Sequence, residues 1–280
     1  MTDQKTFFRL IMSNDLNRQA IKALILDMDG VLWRGSQAIG DLQRIFEQIN
    51  HNGLQTIFAT NNATRNIQQY IEVLHSFGVC AEPWQVITSA SAVISYLSVK
   101  FPQSGPVYIV GEQGVIEACA EYGFYESDKD VLAVIVGFDR QLTYEKLKIA
   151  TLLIHSGAQY IGTNPDLTFP TPEGLVPGAG SILAAVTAAT GKSPVVVGKP
   201  EPLMYEIALD RLKIPAEQVL VVGDRLETDI ACAQAMGCPT ALVLSGVTTP
   251  EQAAEWKPSP DFIADDLEQV IRLLQNPSKN

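Results

Sequence analysis

The fold is decided by the stretch Ala23–Val31, which reads ALILDMDGV. Its four leading apolar residues predict a strand that is buried on both faces, as in parallel sheets covered by helices. Two carboxylates follow at the end of this strand, where doubly wound sheets bind their ligands. Because side chains two positions apart in an extended segment point to the same side, we expect Asp27 and Asp29 to face one crevice.

The same pattern recurs along the chain. Further apolar runs predict strands at residues 56–59, 107–110, 131–136, 195–197, 219–222 and 241–244. Helical spacing of apolar residues occurs between them, at residues 41–50, 67–77, 144–155, 182–190, 203–212 and 229–236. Thr249-Pro250-Glu251-Gln252 has the residue types of a capping box and predicts another helix start. This alternation of strands and helices predicts a parallel sheet with helices on both faces.

The length of the chain favours two domains. It has 280 residues, and single hydrophobic cores rarely grow beyond about 250–300 residues. Residues 83–193 show their own strand–helix alternation and include a stretch rich in Gly, Pro and Thr at 162–180. We therefore expect an α/β fold in which residues 1–82 and 194–280 form a doubly wound core, and residues 83–193 form an inserted α/β domain.

Composition limits the partners. The 31 acidic and 20 basic residues give a formal charge of −11, which argues against nucleic acid and anionic membranes as main partners. An anionic substrate stays compatible with this charge, because a bound cation reverses the local field. The four cysteines form no C-x-x-C pair, which favours reduced thiols. The chain has no run of about 18 apolar residues and no signal-peptide core, so we expect a cytoplasmic protein.

Polar residues follow three further predicted strands. Thr60-Asn61-Asn62 follows residues 56–59, Lys199 follows 195–197, and Gly223-Asp224 follows 219–222, with Asp229 five residues later. Each group also has a simpler interpretation: N-capping for the first, a surface lysine for the second, and a helix-dipole contact for Asp229. No comparable structural interpretation applies to Asp224, because its place at the end of the predicted strand puts it in the crevice.

Together these groups suit phosphate chemistry. A carboxylate that attacks a phosphate ester is repelled by the phosphate oxygens, and a divalent cation with a lysine removes that barrier. Hard oxygen ligands select Mg²⁺ rather than zinc. Asp27 would then carry the phosphoryl group while Asp29 protonates the leaving oxygen and later takes a proton from water.

The segments DMDGV, ATNNATR, VGKP and GDRLETDI, in this order, resemble the haloacid dehalogenase (HAD) phosphohydrolase superfamily. The closer similarity is to subfamily IIA, with its NagD-type, 4-nitrophenyl phosphate and phosphoglycolate phosphatases. This resemblance implies a Rossmann-like core with an inserted α/β cap. It implies the following site residues: Asp27 as nucleophile, Asp29 as acid/base, Lys199 as charge stabiliser, Thr60, Asn61 and Asn62 around the phosphoryl group, Asp27, Asp29 and Asp224 at Mg²⁺, and Asp229 supporting the metal.

The resemblance also covers the GTNPD segment at residues 162–166. It implies that Asn164 and Asp166 lie near a small phosphorylated metabolite, although an ordinary Asn-Pro turn explains the same residues. It is compatible with a homodimer formed through the cap. Glu227 stands where relatives often have Asp, and Arg65 and Arg225 flank the motifs without an assigned contact.

Several alternatives stay open. A phosphomutase would share the Asp pair, and a non-catalytic phosphometabolite-binding regulator would share the scaffold. A dehalogenase needs neither the second Asp nor the metal acids. The sequence contains no G-x-S-x-G turn and no G-x-x-x-x-G-K-[ST] loop, which argues against a serine hydrolase and a nucleotide-driven motor. The histidines His51, His75 and His155 lie outside every motif and are interpreted as structural.

Overall fold

The computed structural model describes residues 20–171 and 173–275. The strands are β1 (Ala23–Leu26), β2 (Trp33–Arg34), β3 (Gln37–Ala38), β4 (Gln55–Thr60), β5 (Val86–Thr88), β6 (Gly105–Val110), β7 (Phe124–Glu126), β8 (Ala133–Val136), β9 (Gln159–Gly162), β10 (Thr168–Thr171), β11 (Gly174–Pro177), β12 (Val195–Val196), β13 (Val219–Gly223), β14 (Thr240–Val243) and β15 (Phe262–Ala264). The helices are α1 (Leu42–His51), α2 (Ile67–Ser76), α3 (Ser89–Lys100), α4 (Gln113–Glu121), α5 (Tyr144–His155), α6 (Ala179–Thr190), α7 (Leu203–Leu212), α8 (Ala231–Ala235), α9 (Pro250–Glu255) and α10 (Leu267–Gln275).

The predicted strand at Ala23–Leu26 lies in the middle of a six-stranded parallel sheet. The order of this sheet is β15-β14-β13-β1-β4-β5. Ala23 and Ile25 belong to one hydrophobic cluster, with residues of α3 and α7, while Leu24 and Leu26 belong to another, with residues of α1, α2 and α10. Both faces of the sheet are therefore covered, as the continuous apolar run of β1 predicts.

A second parallel sheet has the order β12-β9-β8-β6-β7. Residues of α5 and α6 pack on one of its faces. Residues on its other face, including Ile109 and Ile135, join the same cluster as Ala23 and Ile25 of the first sheet. The two sheets therefore share one contiguous apolar cluster.

Strand pairing crosses the predicted domain limits at both ends. Val86–Thr88 lies inside the predicted insert but pairs with β4 of the first sheet, and Val195–Val196 lies inside the predicted core but pairs with β9 of the second sheet. Neither short strand shows its partner in its own residues, because pairing in a parallel sheet is set by long crossover connections. The division into core and cap stays a prediction. By their pairing, Val86–Thr88 belongs to the first sheet and Val195–Val196 to the second.

Local predictions mostly agree with the structure. Thr249 caps α9 through a complete capping box with Gln252, which confirms the predicted helix start. The helix predicted at residues 229–236 is wrong at its beginning, because Leu226–Ile230 forms a π-helical turn before α8 begins. This wider turn buries Asp229, which a regular amphipathic pattern does not predict. Within the described residues, no helix is long and apolar enough to span a bilayer.

The cysteines differ in exposure. Cys80 is exposed, whereas Cys119, Cys232 and Cys238 are buried and none forms a disulfide. Burial raises the pKa of Cys119 and Cys232 to about 12 and that of Cys238 to about 11. Because the thiolate is the reactive form, these three thiols are protected at neutral pH.

We therefore expect a thiol reagent such as DTNB to modify one cysteine per folded chain, and all four after unfolding in guanidinium chloride. Mass spectrometry of the labelled peptides checks the site, and the variant Cys80→Ser is the control that should leave the folded protein unlabelled. Rapid labelling of Cys232 in the folded chain would contradict the packing described above.

Candidate active site

All the residues predicted for the site line one cleft of about 640 Å³. These residues are Asp27, Asp29, Thr60, Asn61, Asn62, Asn164, Asp166, Lys199, Asp224 and Asp229. They come from the ends of β1, β4, β9, β12 and β13 or from the segments that follow them. The cleft thus lies where the carboxyl ends of the strands of both sheets meet, as expected for doubly wound sheets.

The centre of the cleft is a buried ammonium group. Lys199 is 1 % exposed, and its Nζ donates to Asp27 Oδ1 at 2.8 Å, to Asp229 Oδ1 at 2.6 Å and to the carbonyl oxygen of Ala59 at 2.8 Å. Burial alone lowers the pKa of a lysine, but the carboxylates of Asp229 and Asp27 outweigh it and raise the pKa. Lys199 therefore stays charged at the bottom of the cleft.

Three carboxylates cluster here, two of which contact the ammonium. Asp27, Asp224 and Asp229 each offer an oxygen within 4.8 Å of the others. Burial raises the pKa of Asp27 well above its ordinary value despite Lys199, and burial with the nearby Asp229 raises that of Asp224 to about 7. One lysine thus leaves the cluster short of positive charge, which a bound cation would supply.

The donor set fits a hard divalent cation. Asp224 accepts from the backbone N–H of Val247 at 2.8 Å through Oδ2, while its buried Oδ1 has no hydrogen-bond partner among the described residues. Gly30 and Gly246 leave the space that this carboxylate occupies, since a Cβ on either would overlap it. The positive φ of Gly30, +87°, also favours glycine there. An unsatisfied buried carboxylate oxygen inside an all-oxygen cluster is the environment that Mg²⁺ prefers.

Asp29 has a different environment. Its Oδ1 accepts from Trp33 Nε1 at 3.0 Å and its Oδ2 accepts from Asn62 Nδ2 at 3.3 Å. Burial raises its pKa more than these two neutral donors lower it. Asp29 is therefore held in place by two neutral donors without a direct ion pair, and its carboxyl group can carry a proton at higher pH than usual.

The segment after β4 connects several parts of the site. The backbone N–H of Asn62 donates to Thr60 Oγ1 at 3.1 Å, and the Asn62 side chain holds Asp29 as described above. The Asn61 side chain donates to Asp166 Oδ2 at 3.1 Å and to the carbonyl oxygen of Lys199 at 3.0 Å. The two asparagine side chains thus bind protein groups, and their predicted contact with a phosphoryl group stays a prediction.

The GTNPD segment comes to the same place from the second sheet. Asn164 is 5 % exposed, and its Nδ2 donates to the carbonyl oxygen of Asn61 at 2.8 Å. Burial raises the pKa of Asp166, which the nearby guanidinium of Arg225 partly offsets. Both residues lie on the wall of the cleft rather than in a surface turn.

The three flanking residues without a predicted contact differ in their relation to the cleft. Arg225 lines the cleft, and its Nη2 lies 3.5 Å from the carbonyl oxygen of Thr168. Arg65 lies 5.9 Å from the ring centroid of Tyr70. Glu227 is exposed and does not line the cleft, which explains how this position accepts Glu in place of Asp.

Two contributors to the site are not among the residues predicted from the sequence. Trp33 orients Asp29, and Val247 binds Asp224 through its backbone. The signal for Val247 was present, because Ser245-Gly246-Val247 follows β14 at another strand end of the same sheet. Trp33 gave no signal beyond its closeness to Asp29, since a lone tryptophan is typical of a hydrophobic core.

Comparisons with known proteins agree with this geometry. Residues 24–125 match the family described as haloacid dehalogenase-like hydrolase, and residues 196–270 match the one described as HAD-hydrolase-like. An acid sugar phosphatase of Staphylococcus aureus is 37% identical over 255 residues, which cover 91% of this chain and 98% of that protein.

Solved structures give the same result. The 4-nitrophenylphosphatase of Thermotoga maritima superposes with a TM-score of 0.87 at 33% identity, covering 92% of this chain and 99% of that one. NagD from E. coli K-12 superposes with a TM-score of 0.80 at 30% identity, covering 89% and 98%. Since relatives above 30% identity span nearly the whole chain, this protein belongs to the haloacid dehalogenase-like hydrolases, in the NagD and 4-nitrophenylphosphatase branch, and is a phosphatase of small substrates.

Proposed function

We propose that this phosphatase depends on Mg²⁺ and hydrolyses small phosphate monoesters through a covalent aspartyl-phosphate on Asp27. The observation that carries the proposal is the contact of 2.8 Å between Asp27 and the buried ammonium of Lys199, beside the carboxylates of Asp224 and Asp229. A carboxylate next to a fixed positive charge can approach a phosphate dianion that would otherwise repel it.

The residues that would hold Mg²⁺ are Asp27, Asp224 and the backbone carbonyl of Asp29, with Asp229 supporting them. When bound, the cation neutralises charge on the phosphoryl oxygens and lowers the barrier to attack. Asp229 also accepts from Lys199 Nζ at 2.6 Å and, through its other oxygen, from the backbone N–H of Arg225 at 3.1 Å. It therefore links the lysine to the loop that carries Asp224.

In the first step a carboxylate oxygen of Asp27 forms a bond to phosphorus, and the bond from phosphorus to the leaving oxygen breaks. Asp29 gives its proton to that oxygen. Two features of Asp29 favour this role, its raised pKa and its orientation, which is fixed by bonds from Trp33 and Asn62. Lys199 stabilises the charge on the transferring group. The products are an acyl phosphate on Asp27 and a free alcohol.

In the second step Asp29, now ionised, takes a proton from water, and the water oxygen attacks phosphorus. The bond between phosphorus and Asp27 breaks, which releases inorganic phosphate and restores the Asp27 carboxylate. Because Asp29 ends this step protonated, the site returns to its starting state.

For the substrate we propose phosphorylated sugars. The acid sugar phosphatase relative supports this class, and a cleft of about 640 Å³ is in the range that encloses small ligands. Release of phosphate from a panel of sugar phosphates, with and without Mg²⁺, tests the proposal. Turnover that persists unchanged in excess EDTA would refute the metal requirement, and transfer of phosphate to a second sugar position would indicate a phosphomutase.

The first prediction of this proposal concerns the nucleophile. Asp27→Asn should lower phosphate release from p-nitrophenyl phosphate by at least about 10³-fold, which is a modest figure for loss of a nucleophile. The matched control is Asp139→Asn, since Asp139 is also buried and bound to a lysine, Lys146, at 2.6 Å, but does not line the cleft. Full turnover by Asp27→Asn would refute the mechanism. So would the absence of an acid-stable phosphoryl adduct on the peptide that contains Asp27 in the unmodified protein.

A second prediction concerns the proton. Asp29→Asn should slow turnover of sugar phosphates by about 10²–10⁴-fold, the usual contribution of a general acid/base. With p-nitrophenyl phosphate, whose leaving group departs without a proton, the same variant should release a burst of p-nitrophenolate and then stall as the phosphoenzyme. Stopped-flow absorbance measures the burst. Equal slowing of both steps for both substrates would contradict the assigned role.

A third prediction concerns pH. The folded, metal-free protein holds the pKa of Asp224 at about 7, above its ordinary value of 3.8. Below the ordinary value the group stabilises the fold in full, and this contribution is lost as pH rises through about 7. We expect the melting temperature without metal to fall across this window and Mg²⁺ to raise it more at pH 8 than at pH 5.

The variant Asp224→Asn is the control for this measurement, because it removes the titrating group. Its melting temperature without metal should depend less on pH, and Mg²⁺ should shift it by less than it shifts the unmodified protein. Differential scanning calorimetry at several pH values gives both quantities. An identical pH slope in the variant would show that Asp224 is not the group responsible.

A further inference from the structure

Asn61 lies where three segments of the chain meet. Its side-chain Nδ2 donates to Asp166 Oδ2 at 3.1 Å, in the GTNPD segment, and to the carbonyl oxygen of Lys199 at 3.0 Å. Its backbone carbonyl accepts from Asn164 Nδ2 at 2.8 Å and from Ser89 Oγ at 2.6 Å. One residue at the end of β4 is thereby bound to the second sheet, to α3 and to the lysine segment.

These contacts fix the orientation of the Asn61 amide. Both groups next to Nδ2, the Asp166 carboxylate and the Lys199 carbonyl, are acceptors, so the nitrogen has to face them. Asn61 is 8 % exposed, and its Oδ1 is buried without a partner among the described residues. Oδ1 lies 2.7 Å from where a Cβ of Gly198 would be, so the glycine permits this close approach. A phosphoryl group would have to break a bond to receive either amide hydrogen.

We propose that the Asn61 side chain is a positioning residue, which couples the GTNPD segment of the second sheet to Lys199 and does not itself bind the phosphoryl group. This inference rests on the proposed function of Lys199. The ammonium of Lys199 is held by Asp27, Asp229 and Ala59, but its backbone carbonyl is held by Asn61.

The effect on the reaction follows from the two ends of Lys199. If the backbone end moves, the ammonium either follows or strains its three bonds, and a misplacement of about 1 Å can lower a rate by about 10²-fold. The bond from Asn61 to Asp166 adds a second consequence. A shift of the GTNPD segment pulls on the same amide that holds the Lys199 carbonyl. This side-chain link adds to the backbone bond of 2.9 Å from the Gly198 N–H to the carbonyl oxygen of Thr163, so the second sheet influences the position of the ammonium through both.

The first arm of the test uses Asn61→Ala and the isosteric Asn61→Asp, which presents a carboxylate to two acceptors. Both should lower kcat for p-nitrophenyl phosphate by about 10²-fold, with the Mg²⁺ concentration for half-maximal activity unchanged. The control is Tyr160→Phe, which removes a hydrogen bond of 3.0 Å to the carbonyl oxygen of Leu183, in the second sheet and away from the cleft. A fall in kcat no larger than in this control would overturn the inference.

The decisive arm is a double-mutant cycle with Lys199→Met. If Asn61 acts through Lys199, adding Asn61→Ala to Lys199→Met should change kcat by less than about 3-fold, since residues that act as a unit are not additive. A further loss of about 10²-fold in the double variant would show an independent phosphoryl contact and overturn the inference. Full activity of Lys199→Met alone would instead remove the proposed function, and this inference with it.

A third arm separates the hydrogen bond from the charge. Asp166→Asn keeps an acceptor oxygen for Asn61 Nδ2 and should lower kcat clearly less than Asp166→Ala, which should lower it by about 10-fold through the coupling. This arm leaves Asn61 and Lys199 in place, so it stays informative if the Asn61 variants fold poorly. Equal losses in both variants would show that the charge of Asp166 is needed, which overturns the coupling role.

Discussion

The site depends on one buried ion cluster, in which the Lys199 ammonium lies between the carboxylates of Asp27 and Asp229. Removing one partner from a buried pair of this kind typically costs about 3–5 kcal/mol, because the other charge is left unpaired. The cluster is also unbalanced, since the carboxylate of Asp224 has no lysine of its own. In the proposed function, a divalent cation would offset this imbalance and would in turn attract a phosphate dianion.

The sheet explains how residues far apart in the chain reach this cluster. Asp27 and Asp224 each follow a strand of one parallel sheet, β1 and β13, whose registers pair Ala23 with Val219 and Leu26 with Val222. The pairing continues past β1, because the backbone N–H of Asp27 donates to the carbonyl oxygen of Val222 at 2.9 Å. Asp224 comes two residues after Val222, so the paired strands bring the two carboxylates to nearly the same height. Apolar packing on both faces of β1 then fixes this height.

The sequence predicted the strand ends well and the cross-chain contacts poorly. Buried runs such as Ala23–Leu26 are visible because burial on both faces leaves few choices of residue type, and the polar group that follows each run stands out. The sheets to which Val86–Thr88 and Val195–Val196 belong could not be predicted. These strands are only three and two residues long, and so short a segment does not indicate its partner strand. The π-helical turn that buries Asp229 was hidden for a similar reason, since its residues also suit a regular helix.

The roles of the asparagines show why motif types alone are not sufficient. Asn61 and Asn62 are neighbours with the same chemistry, yet one amide binds Asp166 and the Lys199 carbonyl while the other binds Asp29. Successive residues after a strand point to opposite sides, so identical side chains there reach different partners. The residue type determines what kind of hydrogen bond a side chain can make. The direction in which the side chain points after the strand determines which group it binds. In this cleft the direction distinguishes an amide that binds Asp29 from one that binds Asp166 and the Lys199 carbonyl.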